Sequence, residues 1–107
     1  MIHHNITPED FDRKLKAGEL AADLIVDVRE QEEWDYYHLE EAVHIPMNSI
    51  PERMKELPSD NLIYIVCAHG VRSEMVVRYL LQNGLENVVN VIGGMAAVSG
   101  LRGFIYD

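Results

Sequence analysis

Three stretches of this chain are continuous runs of apolar, mostly β-branched residues: Leu24-Ile25-Val26-Asp27-Val28, Leu62-Ile63-Tyr64-Ile65-Val66 and Val88-Val89-Asn90-Val91-Ile92. A strand with one face in water alternates apolar and polar residues, whereas a run apolar at nearly every position must be covered on both faces. Helical patterns alternate with these runs. Strands separated by helices predict an α/β domain, a mostly parallel sheet with helices packed on its two faces. Ala42-Val43-His44-Ile45 reads as a shorter strand stopped by Pro46, and residues His3 to Ile6 as a short edge strand.

The helices carry their own punctuation. Thr7-Pro8-Glu9-Asp10 supplies a hydroxyl for the cap, proline at the first helical position and acid in the first turn; Phe11 and Leu15 then share a face, and Gly18 ends the helix. Glu30 to Tyr37 is acidic and aromatic, one or two helical turns with Trp34 packing inward. Ser49-Ile50-Pro51-Glu52 matches a capping box and predicts a helix through Leu57, closed by Pro58. After Ser73, the residues Met75, Val76, Tyr79 and Leu80 form an apolar stripe, Glu74 and Arg78 pair on the outer side, and Gly84 follows the helix end. Gly93-Gly94 is a tight turn into Met95–Val98, and the tail ends Phe104-Ile105-Tyr106. With no internal repeat, linker or low-complexity segment, the 107 residues read as one domain spanning 1–107.

Charge and cysteine usage narrow the function classes. A formal net charge of -9 repels phosphate backbones, which argues against a nucleic-acid partner. No apolar run approaches the roughly 20 residues that span a bilayer, and the first residues lack the basic-then-apolar pattern of a secretory signal. A single cysteine makes no internal disulfide and suits a reducing compartment, so the expected location is cytoplasmic, away from membranes. His3 and His4 are adjacent, diverge in direction and have no third ligand nearby; no metal and no other cofactor is expected.

That one cysteine sits where it matters. Ile63-Tyr64-Ile65-Val66 runs into Cys67-Ala68-His69-Gly70-Val71-Arg72-Ser73, a strand delivering a thiol into a short loop that opens a helix. Amide N–H groups and the positive end of a helix dipole favour negative charge at such a place. A thiol with the ordinary pKa near ~8.5 is only a few per cent thiolate at neutral pH, and two units of lowering correspond to about 2.7 kcal/mol. A helix terminus supplies at most ~2 kcal/mol, so hydrogen bonds from the loop amides of Ala68 to Ser73, with positive charge from Arg72, are expected to add the remainder. Gly70 fits a backbone that curls inward at positive φ. Cys67 therefore reads as a nucleophile. In parallel sheets reactive groups collect beyond the carboxyl ends of the strands, which places Cys67, Asp27-Val28-Arg29 and Gly93-Gly94 at one edge.

The loop resembles the active-site loop of the rhodanese family of single-domain sulfurtransferases. The likeness continues at Leu24-Ile25-Val26-Asp27-Val28-Arg29-Glu30, Glu33-Trp34, His38-Leu39, Ala42 to Pro46 and Gly93-Gly94-Met95, nearly the length of the chain. The resemblance implies a three-layer α/β/α fold with a five-stranded, mainly parallel sheet. It further implies that Cys67 takes a sulfane sulfur from thiosulfate or a persulfide donor, holds it as a persulfide and passes it to cyanide, a thiol or a protein acceptor. Ala68, His69, Gly70, Val71, Arg72 and Ser73 would cradle donor and persulfide, with Asp27 and Arg29 in support. The chain departs from the family's usual pattern at Tyr37 and Glu41, which stand where glycines flank the His38 segment, and at Val98, which replaces an aromatic.

Two other readings compete. Cysteine phosphatases and arsenate reductases place five residues between cysteine and arginine to encircle a tetrahedral oxyanion; here four intervene, Ala68 to Val71, a loop better sized for one sulfur. A binding or regulatory module that merely keeps the fold would have no need of Cys67, Gly70 and Arg72 together.

Overall fold

The computed structural model describes residues 4–103; the expectations for His3 and for Phe104-Ile105-Tyr106 lie outside them. Five strands, β1 (Asn5–Ile6), β2 (Leu24–Asp27), β3 (Val43–His44), β4 (Ile63–Val66) and β5 (Val88–Val91), form a single sheet in the order β1-β5-β4-β2-β3. Every neighbouring pair is parallel. The helices are α1 (Pro8–Lys16), α2 (Gln31–Tyr36), α3 (Ile50–Arg53), α4 (Val71–Gln82) and α5 (Gly94–Leu101). Each apolar run read from the sequence is a strand, trimmed by a residue at one end or the other.

Successive residues of a strand point to opposite faces, and the core divides accordingly. Ile63 and Ile65 of β4 face Ile50, Val76, Val77 and Leu80 of α3 and α4, whereas Tyr64 and Val66 face Phe11, Met95 and Val98 of α1 and α5. Trp34 of α2 packs against this second side. The result is a three-layer α/β/α sandwich, the architecture expected. Asp12 of α1 ties that layer together. Its carboxylate takes Arg102 beyond α5 at 3.0 Å and Lys16 at 2.9 Å. Burial pulls its pKa upward, but these two cations outweigh burial and hold it below the usual value.

Two expectations need correction. No capping box forms at Ser49: its backbone is already helical at φ -92°, ψ -8°, and its side chain makes no cap hydrogen bond. Met47–Ser49 is a 3-10 turn running straight into α3, and the single helix predicted from Ser49 through Leu57 is instead α3 followed by a second 3-10 turn, Met54–Glu56. Pro51 sits in the first turn of α3, where its missing N–H costs no hydrogen bond. The stripe on α4 is also rotated from the one read. Ser73, Val76, Val77 and Leu80 are buried, while Met75 is 56% exposed and lines a shallow apolar groove with Met47, Ile50, Pro51 and Tyr79. The Glu74–Arg78 pair lies outside as expected, at 2.7 Å. Among the described residues, no helix is long and apolar enough to cross a membrane.

Candidate active site

The parallel register brings three strand ends level. Asp27 at the end of β2 pairs with Val66 at the end of β4, and Ile65 pairs with Asn90 of β5. The segments that follow, Val28-Arg29, Cys67 onward and Gly93-Gly94, therefore meet at one edge of the sheet, as the strand reading predicted.

Cys67 is 1% exposed, and the loop after it turns back over its sulfur. Gly70 adopts φ 96°, the left-handed conformation that glycine reaches without steric cost. This turn aims the Gly70 N–H at Cys67 Sγ, 3.0 Å away, and the first turn of α4 adds the Ser73 N–H at 3.3 Å. The loop itself is clamped from behind. The amides of Met95 and Ala96, at the start of α5, donate to the carbonyls of Cys67 at 2.7 Å and Ala68 at 2.9 Å. Helix α4 thus offers its N–H groups to the sulfur while α5 offers its own to the backbone that carries the sulfur.

The Ser73 hydroxyl completes the contacts to sulfur. It lies 3.3 Å from Cys67 Sγ and donates to Asn90 Oδ1 at 2.5 Å; Asn90 Nδ2 in turn donates to Asn5 Oδ1 at 3.2 Å. A hydroxyl has one proton. With that proton on Asn90, the Sγ–Oγ contact runs from the thiol to the serine oxygen. When the sulfur is an anion, the hydroxyl can turn to it and leave Asn90 Oδ1. Sequence reading placed Ser73 in the loop but did not assign Asn90 a part. The signal was there: Asn90 is a polar residue inside an otherwise apolar strand.

Arg72 takes a partner that the sequence reading had not assigned. Its guanidinium makes a bidentate pair with Glu33 of α2, Nη1 to Oε1 at 2.7 Å and Nη2 to Oε2 at 2.9 Å. Glu33 Oε1 also accepts the Glu30 N–H at 2.9 Å, so the carboxylate caps α2 and grips the loop together. Both side chains are about one-third exposed or less, 31% for Arg72 and 28% for Glu33. The Arg72 guanidinium, against the upward pull of partial burial and with help from the Glu30 amide, brings the Glu33 pKa from 4.5 to about 2. Glu33 is thereby more acidic folded than unfolded. Its contribution to stability is complete above pH 4.5 and fades as the pH falls towards about 2. With partial solvent screening it amounts to on the order of 1 kcal/mol. Urea midpoints of the parent should decline across that window more steeply than those of Glu33→Gln; equal slopes would show that the pair adds no acid sensitivity.

Asp27 and Arg29 form a fully buried ion pair, both side chains 0% exposed. Arg29 Nε lies 2.9 and 3.0 Å from the two carboxylate oxygens, Nη2 lies 2.7 Å from Oδ2, and Nη2 also donates to the Tyr37 carbonyl at 2.6 Å. The pair therefore fastens the end of β2 to the C-terminal end of α2, the helix whose Glu33 holds Arg72. Trp34 is half-buried and its indole stacks on the imidazoles of His38 at 3.7 Å and His44 at 4.9 Å. His38 bonds the Trp34 carbonyl and His44 the Arg29 carbonyl, each at 2.7 Å, which braces the same corner. His69 is exposed on the loop.

A parallel α/β/α domain with its single cysteine in an amide-lined loop at the carboxyl edge of the sheet defines a class of thiol-loop domains. Residues 7–101 match the family model described as Rhodanese-like domain. The chain belongs to the rhodanese-like family. It is 39% identical over 95 residues to the candidate sulfur carrier protein YrkF of Bacillus subtilis, covering 89% of this chain and 50% of that protein. It is 30% identical over 71 residues to the thiosulfate sulfurtransferase GlpE of Coxiella burnetii, covering 66% of each. Among solved structures, a rhodanese-like domain protein from Staphylococcus aureus aligns at 42% identity with a TM-score of 0.77, over 88% of this chain and 89% of that one. The chain spans about half the length of YrkF.

Proposed function

We propose that this domain is a sulfurtransferase working through a persulfide on Cys67. The observation that carries the reading is the convergence of the Gly70 and Ser73 amides on one buried sulfur, at 3.0 and 3.3 Å. Two N–H groups fixed by the fold stabilise a charged sulfur without having to reorganise during the reaction. In the loading step the Cys67 thiolate attacks the outer sulfur of thiosulfate; a new S–S bond forms, the old one breaks, and sulfite leaves with the bonding pair. A persulfide donor reacts the same way and releases a thiolate. The product carries its reactive atom about 2 Å beyond Sγ. In the second step cyanide, a small thiol or a thiol on a protein takes that outer sulfur, and the Cys67 thiolate returns. Ala68, His69, Val71 and Arg72 line the path, and Asp27 and Arg29 act by positioning.

The reading draws support from the family, from relatives named as sulfur carrier and thiosulfate sulfurtransferase, and from the four-residue gap between Cys67 and Arg72. Mass spectrometry after thiosulfate tests it. The protein should gain one sulfur atom, lose it to cyanide, and gain none as Cys67→Ser. Hydrolysis of an aryl phosphate with no sulfur gained would overturn the assignment. Ser73→Ala removes one hydroxyl donor, and loading should slow by about 2–10-fold, the worth of one ordinary hydrogen bond. An unchanged rate would mean that the amides alone suffice.

A further inference from the structure

Arg72 stands one residue before the amide that touches the sulfur, and an arginine there would ordinarily attract an anionic donor. In this fold its charge is met. The two hydrogen bonds to Glu33 occupy the Nη1–Nη2 edge of the guanidinium with a carboxylate that is itself tied to the Glu30 amide. Bidentate arginine–carboxylate pairs are both strong and geometrically fixed. Asp27 and Arg29, the other charged pair at this corner, also neutralise each other. The chain as a whole carries a formal net charge of -9. A donor arriving here therefore meets a neutralised cation on a negative protein.

From this geometry we infer that Glu33 is a specificity-determining residue, which sets the site to prefer sulfur donors bearing one negative charge or none, such as organic persulfides and thiosulfonates, over dianionic thiosulfate. The inference rests on the sulfurtransferase reading above and deepens it. The chemistry is the same for either donor. Cys67 thiolate attacks the outer sulfur of an alkanethiosulfonate, the S–S bond breaks, and a sulfinate monoanion departs where thiosulfate would release sulfite. Only the charge carried into the loop differs.

Glu33→Gln tests this, because an amide oxygen in the place of Oε1 can still accept from the Glu30 N–H and Arg72 Nη1 while the negative charge and the bond to Nη2 are gone. Loading of Cys67 is followed with thiosulfate and with methanethiosulfonate, which replaces one anionic oxygen by a methyl group. At low salt kcat/KM should rise about tenfold for the dianion and about threefold for the monoanion, since the gain scales with donor charge. The added Arg72→Ala change should abolish both gains. Equal factors for the two donors, or a fall with both, would overturn the inference and make Glu33 a structural brace. Should Glu33→Gln fold poorly, the parent decides the matter. Its kcat/KM for thiosulfate should rise or stay level as potassium chloride is added, because screening relieves repulsion by the acidic protein; a steep fall would reveal an available cation and refute the proposal. Donors that load the parent without any change of ratio in the variant refute this inference alone. If neither donor places a sulfur on Cys67 in the parent, the sulfurtransferase reading falls and takes the inference with it.

Discussion

Asp27→Ala should cost about 3–5 kcal/mol of folding stability, because it leaves the Arg29 guanidinium sealed from water with its countercharge removed. Both partners are 0% exposed, so no solvent can move in to replace the carboxylate without opening the core. For a domain of this size total stability is about 5–15 kcal/mol, and the expected fall in Tm is roughly 15–30 °C. Thermal or urea melts of the variant provide the measurement. The comparison that isolates the cause is the double variant Asp27→Leu, Arg29→Met. Removing both charges together should recover a large part of the loss, since a buried pair is costly to break but not costly to replace. A double variant as unstable as the single one would shift the cause to packing. The pair also anchors the Tyr37 end of α2 through its 2.6 Å hydrogen bond, so Asp27→Ala should loosen the Glu33–Arg72 contact as well.

Gly94→Ala is the second large effect, and it reaches the sulfur through the backbone. A Cβ at this position would lie 2.3 Å from the Cys67 carbonyl oxygen and 2.7 Å from the Ala68 carbonyl, far inside van der Waals contact. Its φ of 58° adds strain for any residue with a Cβ. The left-handed conformation costs about 1–2 kcal/mol and overpacking about 1–3 kcal/mol, giving a loss of roughly 2–5 kcal/mol. The relief that the fold can offer is to push α5 away from the loop, which breaks the Met95 and Ala96 hydrogen bonds to Cys67 and Ala68. Displacing reacting groups by about 1 Å costs on the order of 100-fold in rate, so sulfur loading should fall even in the fraction that folds. Gly84→Ala is the control: its φ is 89° but nothing lies within 4 Å of the added Cβ. It should lose about 1–2 kcal/mol and keep its loading rate. Equal losses of activity in both variants would show that Gly94 matters only through stability.

Much of the candidate site was legible because its signals are local. A β-branched run, a cysteine, a glycine that permits positive φ and a helix start all lie within eleven residues, and the amides that meet the sulfur belong to that same stretch. The Thr7 cap was legible for the same reason: Thr7 Oγ1 accepts the Asp10 N–H at 3.2 Å within one turn. The Ser49 capping box failed because the pattern specifies a bond only when the serine is extended, and tertiary packing of Met47 and Ile50 had already drawn that residue into a helical turn. Helical spacing also could not tell which side of α4 meets the sheet, since Met75 and Val77 both fit an apolar stripe.

The sequence by itself determined that the sheet is parallel and doubly covered, that Cys67 sits at a strand end, and that the loop is short, since each follows from residue type and spacing along a few turns of chain. Contacts between residues far apart in the chain were left to the tertiary structure. Glu33 meets Arg72 across 39 positions, Ser73 meets Asn90 across 17, and α5 closes on Cys67 from beyond β5. A side chain's partner depends on where the sheet register and the helix packing bring it, and a charged residue such as Arg72 has several carboxylates it could answer to until the fold selects one.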